Sequence, residues 1–383
     1  MLLHLSLTEY NINMEKIKIL IACYLYFPAN TPRAFRCYEL SQELARQGHD
    51  VTVMALIGDH DYSDIETETL HIKNIGSSRF GNADVDGNWN KNIIYRVISR
   101  FVGSRWEFPT FELMGLVSNS VGDLHDYEMV ISVAWPYPIH WGIGKLIQDI
   151  PKKQRPVWIS DCGDPYMGNP MSKKAFIFKR VEKWWGRLTD FITIPIESAR
   201  KAYYPEVQDK IRIIPQGFNY DVIQLENYQP NPKTTFIFAG KIYPITRDPS
   251  NFIEYLSSLD KDFEFHIYTD YPKFFDKFKD LIGNKLFIHN YIPRLEIIKK
   301  LSKADFIVNI QNVGSVQAPS KLIDYSLAKR PILNISSEFN EHEVVDEFMQ
   351  GNYQHRMEEV NIDQFNIKNV AMRFLDLYSE KRC

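Results

Sequence analysis

The stretch from Asp305 to Ile335, DFIVNIQNVGSVQAPSKLIDYSLAKRPILNI, constrains the fold more than any other part of the chain. It reads as a buried strand (Phe306–Ile310), a polar loop containing glycine, a helix opening near Pro319 and Ser320, and a second buried strand (Ile332–Ile335). This is a unit of an open α/β sheet. Strand, loop and helix N-terminus in that order also make an anion site. The first-turn amides are unpaired, and the helix dipole turns its positive end toward the loop. Proline suits the first helical position and serine the cap, although the sequence leaves open which residue is which. Lys321 in the first turn works against the dipole, so an anion is expected beside it. Asp324 lies three residues on, on the same helix face. Phosphate plus sugar hydroxyls would satisfy this pair, and an ordinary solvated Lys–Asp pair is the alternative.

A loop followed by P-S-K-L-x-[D/E]-Y, and then by P-I-L and a strand, resembles the donor-site motif of family 4-type glycosyltransferases. These are retaining, nucleotide-sugar-dependent enzymes of the GT-B fold, in which two Rossmann-like domains face a cleft. The resemblance implies that Pro319, Ser320 and Lys321 meet the diphosphate and that Asp324 takes the ribose hydroxyls. Three positions depart from the pattern. Asp324 stands where glutamate is usual, Lys329 where glycine ends the helix, and Val316 where many members carry a second glutamate. The turn at Lys329 is therefore expected to differ.

The rest of the chain repeats the α/β theme. Ile17–Cys23 reads as a central parallel strand, Arg33–Gln47 as a helix closed by Gly48, and Val51–Leu56 as the next strand. PANTPRAFRCYELSQELARQGHDVTVMAL resembles the opening of the same family. No G-x-G-x-x-G follows the first strand, which counts against a dinucleotide oxidoreductase. Arg33 and Arg36 sit where this helix opens, either as acceptor or cleft contacts or as solvated arginines. Residues 58–92 read as a long polar loop region. Asp59-His60-Asp61 and Asp84-Val85-Asp86 each spell D-x-D there, but no nucleotide-binding strand precedes them, and they are read as loop acids. Asn92–Phe101 is amphipathic, with Ile93, Ile94, Val97, Ile98 and Phe101 on one side.

Met129–Val133 and Pro156–Ile159 read as further strands, with Trp135, Pro136, Tyr137 and Pro138 at a rim and a helix near Trp141–Gln148 between them. Ser160-Asp161-Cys162-Gly163-Asp164-Pro165-Tyr166 resembles an acidic-x-Arg-Asp-Pro-aromatic run of the family, with Gly163 in place of the arginine. Asp161 and Asp164 are the catalytic candidates, pointing from a strand end into the cleft; a turn that only shapes the loop is the alternative. Ser172–Arg187 holds six Lys/Arg against one acid, Glu182, among Phe176, Phe178, Trp184 and Trp185. A core-packing helix with a solvated basic side is the simpler reading, and a helix lying on an anionic membrane the other.

In the C-terminal half, FIFAGKIYPITRDPSNFIEYL resembles the family's opening strand, glycine and two spaced basic residues. Those basic residues map onto Lys241 and Arg247, implied to grip the donor diphosphate. Tyr291-Ile292-Pro293 falls where relatives hold the nucleobase through backbone groups, which marks Ile292. The expected domains are a dispensable leader (1–13), an N-terminal acceptor domain (14–220), a linker (221–234), a donor domain (235–365) and a helix crossing back to the first domain (366–383).

Composition excludes other classes. The 383 residues support two cores, and a net charge of −3 argues against nucleic acid as partner. Cys23, Cys37, Cys162 and Cys383 form no zinc spacing and read as reduced thiols, which suits the cytoplasm. No apolar run reaches about 18 residues, so no spanning helix is expected. The expected activity is sugar transfer from a nucleoside diphosphate sugar to a glycan or lipid-linked glycan acceptor, in surface polysaccharide or glycoconjugate synthesis at the inner face of the membrane. No cofactor and no metal are expected. A 2-epimerase of the same fold and a silent nucleotide-sugar-binding subunit are the alternatives.

Overall fold

The computed structural model describes residues 15–88, 92–244, 247–311 and 321–382. The leader, Pro319, Ser320, Val316 and Cys383 lie outside them. The described chain divides into two compact units, one running to Phe218 and resuming at Gln364, the other Asn219–Asp363.

Unit 1 runs β1 (Lys18–Ala22), α1 (Pro32–Arg46), β2 (Asp50–Ala55), β3 (Leu70–Asn74), α2 (Ile93–Phe101), α3 (Glu112–Ser120), β4 (Met129–Ala134), α4 (Pro138–Ile147), β5 (Val157–Cys162), α5 (Phe178–Leu188), β6 (Phe191–Ile194) and β7 (Ile211–Ile213). The strands form one sheet in the order β3-β2-β1-β4-β5-β6-β7, every pair parallel. Strands β1, β4 and β5 are buried along nearly their whole length, which is why they read as apolar runs. Strand β3 corrects the expectation of a loop over 58–92. It is a half-exposed edge strand, LHIKN, whose side chains carry no apolar run; pairing with β2 makes it a strand. Helix α1 is capped by the Thr31 hydroxyl, which accepts from the Ala34 amide, with Pro32 in the first turn.

Unit 2 runs β8 (Thr234–Ala239), α6 (Ser250–Ser258), β9 (Phe263–Thr269), β10 (Leu286–Asn290), α7 (Arg294–Leu301), β11 (Phe306–Ile310), α8 (Lys321–Leu327), β12 (Ile332–Ile335) and α9 (His342–Phe348), in a parallel sheet ordered β10-β9-β8-β11-β12. Stacked phenylalanines fill one face: Phe236 lies 4.6 Å from Phe306 and 4.7 Å from Phe265 between ring centroids. The stretch expected as a linker packs onto this unit. Tyr228 donates to Asp305 at 2.6 Å, and Arg330 lies 3.3 Å over the Tyr228 ring.

After unit 2 the chain returns to unit 1 as α10 (Ile367–Arg382). Val370, Phe374 and Leu377 join Leu40 and Leu44 of α1 in one buried cluster. In each sheet the strand order reverses beside the first strand of the unit, between β1 and β4 and between β8 and β11. Open α/β sheets bind ligands outside the strand C-termini at such a point.

Candidate active site

In unit 2 the chain leaves β8 through Gly240, whose φ of 155° suits the residue type and which stands against two cations. A Cβ there would lie 3.6 Å from Lys321 Cδ and 3.8 Å from Arg247 Nη1. The loop after β8 and the start of α8, distant in sequence, therefore meet at the switch point of this sheet. Arg247 is 5% exposed, donates from Nη1 to the Lys241 carbonyl at 3.2 Å, and lies 5.8 Å from the Tyr243 ring. Lys321 Nζ lies 4.8 Å from the Phe238 ring centroid and 5.6 Å from that of Tyr325. It is shut off from solvent and has no hydrogen-bonding partner among the described residues. Burial, and then the Arg247 charge, hold its ammonium well below the ordinary lysine range. Burial also lowers Arg247. Two cations thus share an apolar floor, with no carboxylate among the described residues against either.

Asp324 does not answer Lys321. Its carboxylate takes Arg294 of α7, with Nε at 2.7 Å. Burial raises the Asp324 carboxyl above its ordinary range, against the opposing pull of Arg294. Sequence reasoning missed Arg294. The only signal was a basic residue directly after Tyr291-Ile292-Pro293, because the pair spans 30 positions. Of the remaining expected donor residues, Lys241 is exposed and stands 3.6 Å from Asp270, and Ile292 is half-buried between β10 and α7.

At the switch point of unit 1 a cavity of about 650 Å³ is lined by Tyr24 and Leu25 beyond β1, Trp135 and Pro136 beyond β4, Gly163 and Asp164 beyond β5, and Arg33. Asp164 is exposed. Arg33 passes beside Gly163, where a Cβ would stand 3.0 Å from its Cζ, and reaches Asp161 at 3.2 Å. Lys174 Nζ sits 4.4 Å over the Trp135 ring and pairs with buried Glu107.

Three expected residues behave otherwise than the sequence suggested. Arg36 is neither solvated nor open to a ligand: it is 1% exposed, bonds Asp161 through Nε at 3.2 Å and Nη2 at 3.0 Å, and donates to the Pro215 carbonyl at 2.6 Å. The Phe374 ring of α10 covers it at 5.1 Å. Asp161 is 2% exposed and also accepts from Thr193 at 2.7 Å. Burial raises its carboxyl, but Arg36 and Arg33 outweigh that and leave it below its ordinary range. It is a locked anion. Tyr137 is buried in an aromatic cluster and donates to the Asp164 carbonyl at 2.6 Å, so it shapes the rim from beneath. The D-x-D acids close loops: Asp84 accepts from the Asp86 and Asn88 amides, and Asp86 meets His60 at 2.9 Å.

No protein-family model matches the sequence, and no curated protein matches it. The fold is nevertheless found among solved structures over nearly the whole chain. A glycosyltransferase from Rickettsia africae is 13% identical, with 95% of this chain and 98% of that one covered and a TM-score of 0.57. Sucrose-phosphate synthase from Thermosynechococcus elongatus is 11% identical over 96% and 99%, with a TM-score of 0.59. HepE of Anabaena, solved with UDP and glucose, is 9% identical over 95% and 100%, with a TM-score of 0.53. These likenesses show that the chain has the two-domain GT-B fold of glycosyltransferases.

Proposed function

We propose that the chain is a glycosyltransferase that moves a sugar from a nucleoside diphosphate sugar to an acceptor hydroxyl with retention of configuration. The observation that carries this reading is Lys321, an ammonium sealed from water, without a counter-charge among the described residues and beside a second buried cation. Burying an unpaired charge is costly. Such a cost suits a site completed by an anion that arrives with the substrate. A diphosphate lying against Lys321 and Arg247 would regain charge-assisted bonds, and the same groups would stabilise the charge developing on the leaving diphosphate. Lys241, exposed on the loop after Gly240, would leave Asp270 and turn onto the outer phosphate. Asp324, oriented by Arg294, would take the ribose hydroxyls, and the backbone around Ile292 the base.

The complex of the Anabaena neighbour with UDP and glucose supports a nucleotide sugar as donor. The unit 1 cavity suits a glycan acceptor: Trp135 offers a ring for a sugar face, and Asp164 an exposed carboxylate for a hydroxyl. We place the reaction in the cytoplasm, in surface glycan synthesis, with no metal needed beside these cations. A 2-epimerase would need a carboxylate and a histidine free to exchange a proton. Asp161 is locked, and His140 is buried between Ser132 at 2.7 Å and Cys162 at 3.5 Å.

The test is calorimetric titration with UDP, GDP, ADP and dTDP and with the matching nucleosides, followed by incubation with nucleotide sugars and glycan acceptors in EDTA. Diphosphates should bind and nucleosides much less so, and nucleoside diphosphate should appear with a glycosylated product of retained anomeric configuration. Epimerised sugar without a second product, or tight binding without turnover against any acceptor, would overturn transfer.

A further inference from the structure

Helix α2 is amphipathic, but its apolar side is the one turned to solvent. Ile93, Ile94, Val97, Ile98 and Phe101 are 70%, 61%, 51%, 37% and 83% exposed. The opposite side is anchored. Tyr95 packs edge-on against Phe80 at 5.3 Å and near Phe108 at 6.4 Å, so the apolar arc cannot roll inward without breaking this cluster. A second apolar group adjoins it. The Ala175 amide donates to the Arg105 carbonyl at 2.9 Å, and Lys174 pairs with Glu107, which ties residues 171–177 to the segment following α2. Met171, Phe176 and Trp106 are 91%, 86% and 51% exposed there. Contiguous exposed apolar surface of this kind marks an interaction site.

The charge on this face selects the partner. The exposed ionisable residues of the described parts of 92–111 and 170–181 are Arg100, Arg105, Lys173, Lys179 and Arg180, all basic. The one acid of the two stretches, Glu107, is buried under Lys174. The chain as a whole carries −3, so the face opposes the molecule's average. A second copy meeting it face to face would set cations against cations. An anionic bilayer satisfies both halves at once, taking the apolar side chains at the acyl boundary and the cations among its headgroups.

We infer that α2 and the 171–180 segment form a docking face for anionic lipid. Thr110 and Ser172, which line the unit 1 cavity, belong to these same stretches. Docking would therefore bring that cavity's rim toward the headgroups, a consequence resting on the acceptor reading above; the docking itself does not.

The experiment is co-sedimentation of the full chain, without nucleotide, with vesicles of phosphatidylcholine alone or with about a third phosphatidylglycerol. Binding is expected to the anionic vesicles, to weaken as salt rises, and to shift the Trp106 emission to the blue. Ile94→Glu with Phe101→Glu should weaken binding at least tenfold with an unchanged melting temperature, since both side chains are already in water. Lys173→Gln, Lys179→Gln and Arg180→Gln together should cut the anionic preference by about fivefold per charge. No binding to anionic vesicles, or equal binding by the Ile94/Phe101 variant, would overturn the proposal. So would a dimer in light scattering that the same variant dissolves without any vesicle binding, which would make the face an interface between copies. Because no arm measures sugar transfer, failure of docking and failure of the transferase reading are separate results.

Discussion

Arg294 closes on Asp324 from the neighbouring helix, its Nε 2.7 Å and its Nη2 2.6 Å from the same oxygen, Oδ1. One turn away on α8, Lys321 has no counter-charge among the described residues. On the transferase reading proposed above, this pairing across helices rather than along one would divide the site into an anion pole at Lys321 and a hydroxyl pole at Asp324.

Arg294→Gln should therefore act on the sugar and not on the phosphate. Burial already raises the Asp324 carboxyl, and losing the guanidinium raises it further. A ribonucleoside diphosphate should bind more weakly to the variant, while its 2′,3′-dideoxy analogue should bind nearly as before. Equal losses for both in calorimetry would mean that Asp324 does not face the ribose.

Lys321→Met should separate stability from binding. The ligand-free variant should melt higher, because an uncompensated buried ammonium is replaced by an apolar side chain of similar length. Nucleoside diphosphate should bind roughly 10- to 150-fold more weakly, the equivalent of about 1.5–3 kcal/mol for a hydrogen bond to a charged group. Burial and then Arg247 lower the lysine's proton affinity, and a bound anion restores it. At a pH above the lysine's depressed range, binding by the wild type should take up a proton, seen as a titration enthalpy that depends on the buffer's ionisation enthalpy and that fades as the pH is lowered. The variant should show no such dependence.

Asp161→Ala should cost about 3–5 kcal/mol of stability, as expected when one member of a buried ion pair is removed. It strands Arg36 in the core with Arg33 beside it. Asp164→Asn, at an exposed carboxylate, should leave the melting temperature unchanged and lower turnover. A stable Asp161→Ala protein without turnover would restore Asp161 as a chemical participant.

Glu182 on α5 is 2% exposed, and neither oxygen has a partner of good hydrogen-bonding geometry among the described residues. Burial pushes its carboxyl up to about 7, the backbone of Met167 offsetting this only in part. Between the unfolded value near 4.5 and about 7 the folded state holds the extra proton, so this group's contribution to stability is present at low pH and lost as pH rises through that window. Glu182→Gln should flatten the fall in melting temperature between pH 5 and 8, the difference from wild type approaching about 3 kcal/mol at the upper end. Parallel curves for the two proteins would refute this.

Lys329 takes a φ of 55° at the end of α8, the left-handed conformation that glycine adopts freely. The turn thus keeps the hand expected of a glycine and carries a side chain regardless. Lys329→Gly should stabilise by about 1 kcal/mol, read as a higher denaturant midpoint at an unchanged slope.

The sequence by itself determined the architecture. Short, largely apolar runs at Ile19–Ala22, Met129–Val133 and Phe306–Ile310, interrupted only by Ser132 and Asn309, read as strands buried on both faces, and the helices between them follow from period and caps. Lys321 stood out as a cation in a helix's first turn, a local signal, whereas Lys241 and Arg247 were marked only by the family resemblance. What only the tertiary structure decided is which charges meet. Arg36 with Asp161 spans 125 positions, Arg294 with Asp324 spans 30, and Lys321 over Phe238 joins α8 to β8. Periodicity reports which side of a helix is apolar but not what lies against it, so α2 reads as amphipathic while only the structure shows that its apolar side faces water. Whether a charge is paired, orphaned or solvated depends on neighbours brought in by chain topology, and local sequence carries no record of that distance.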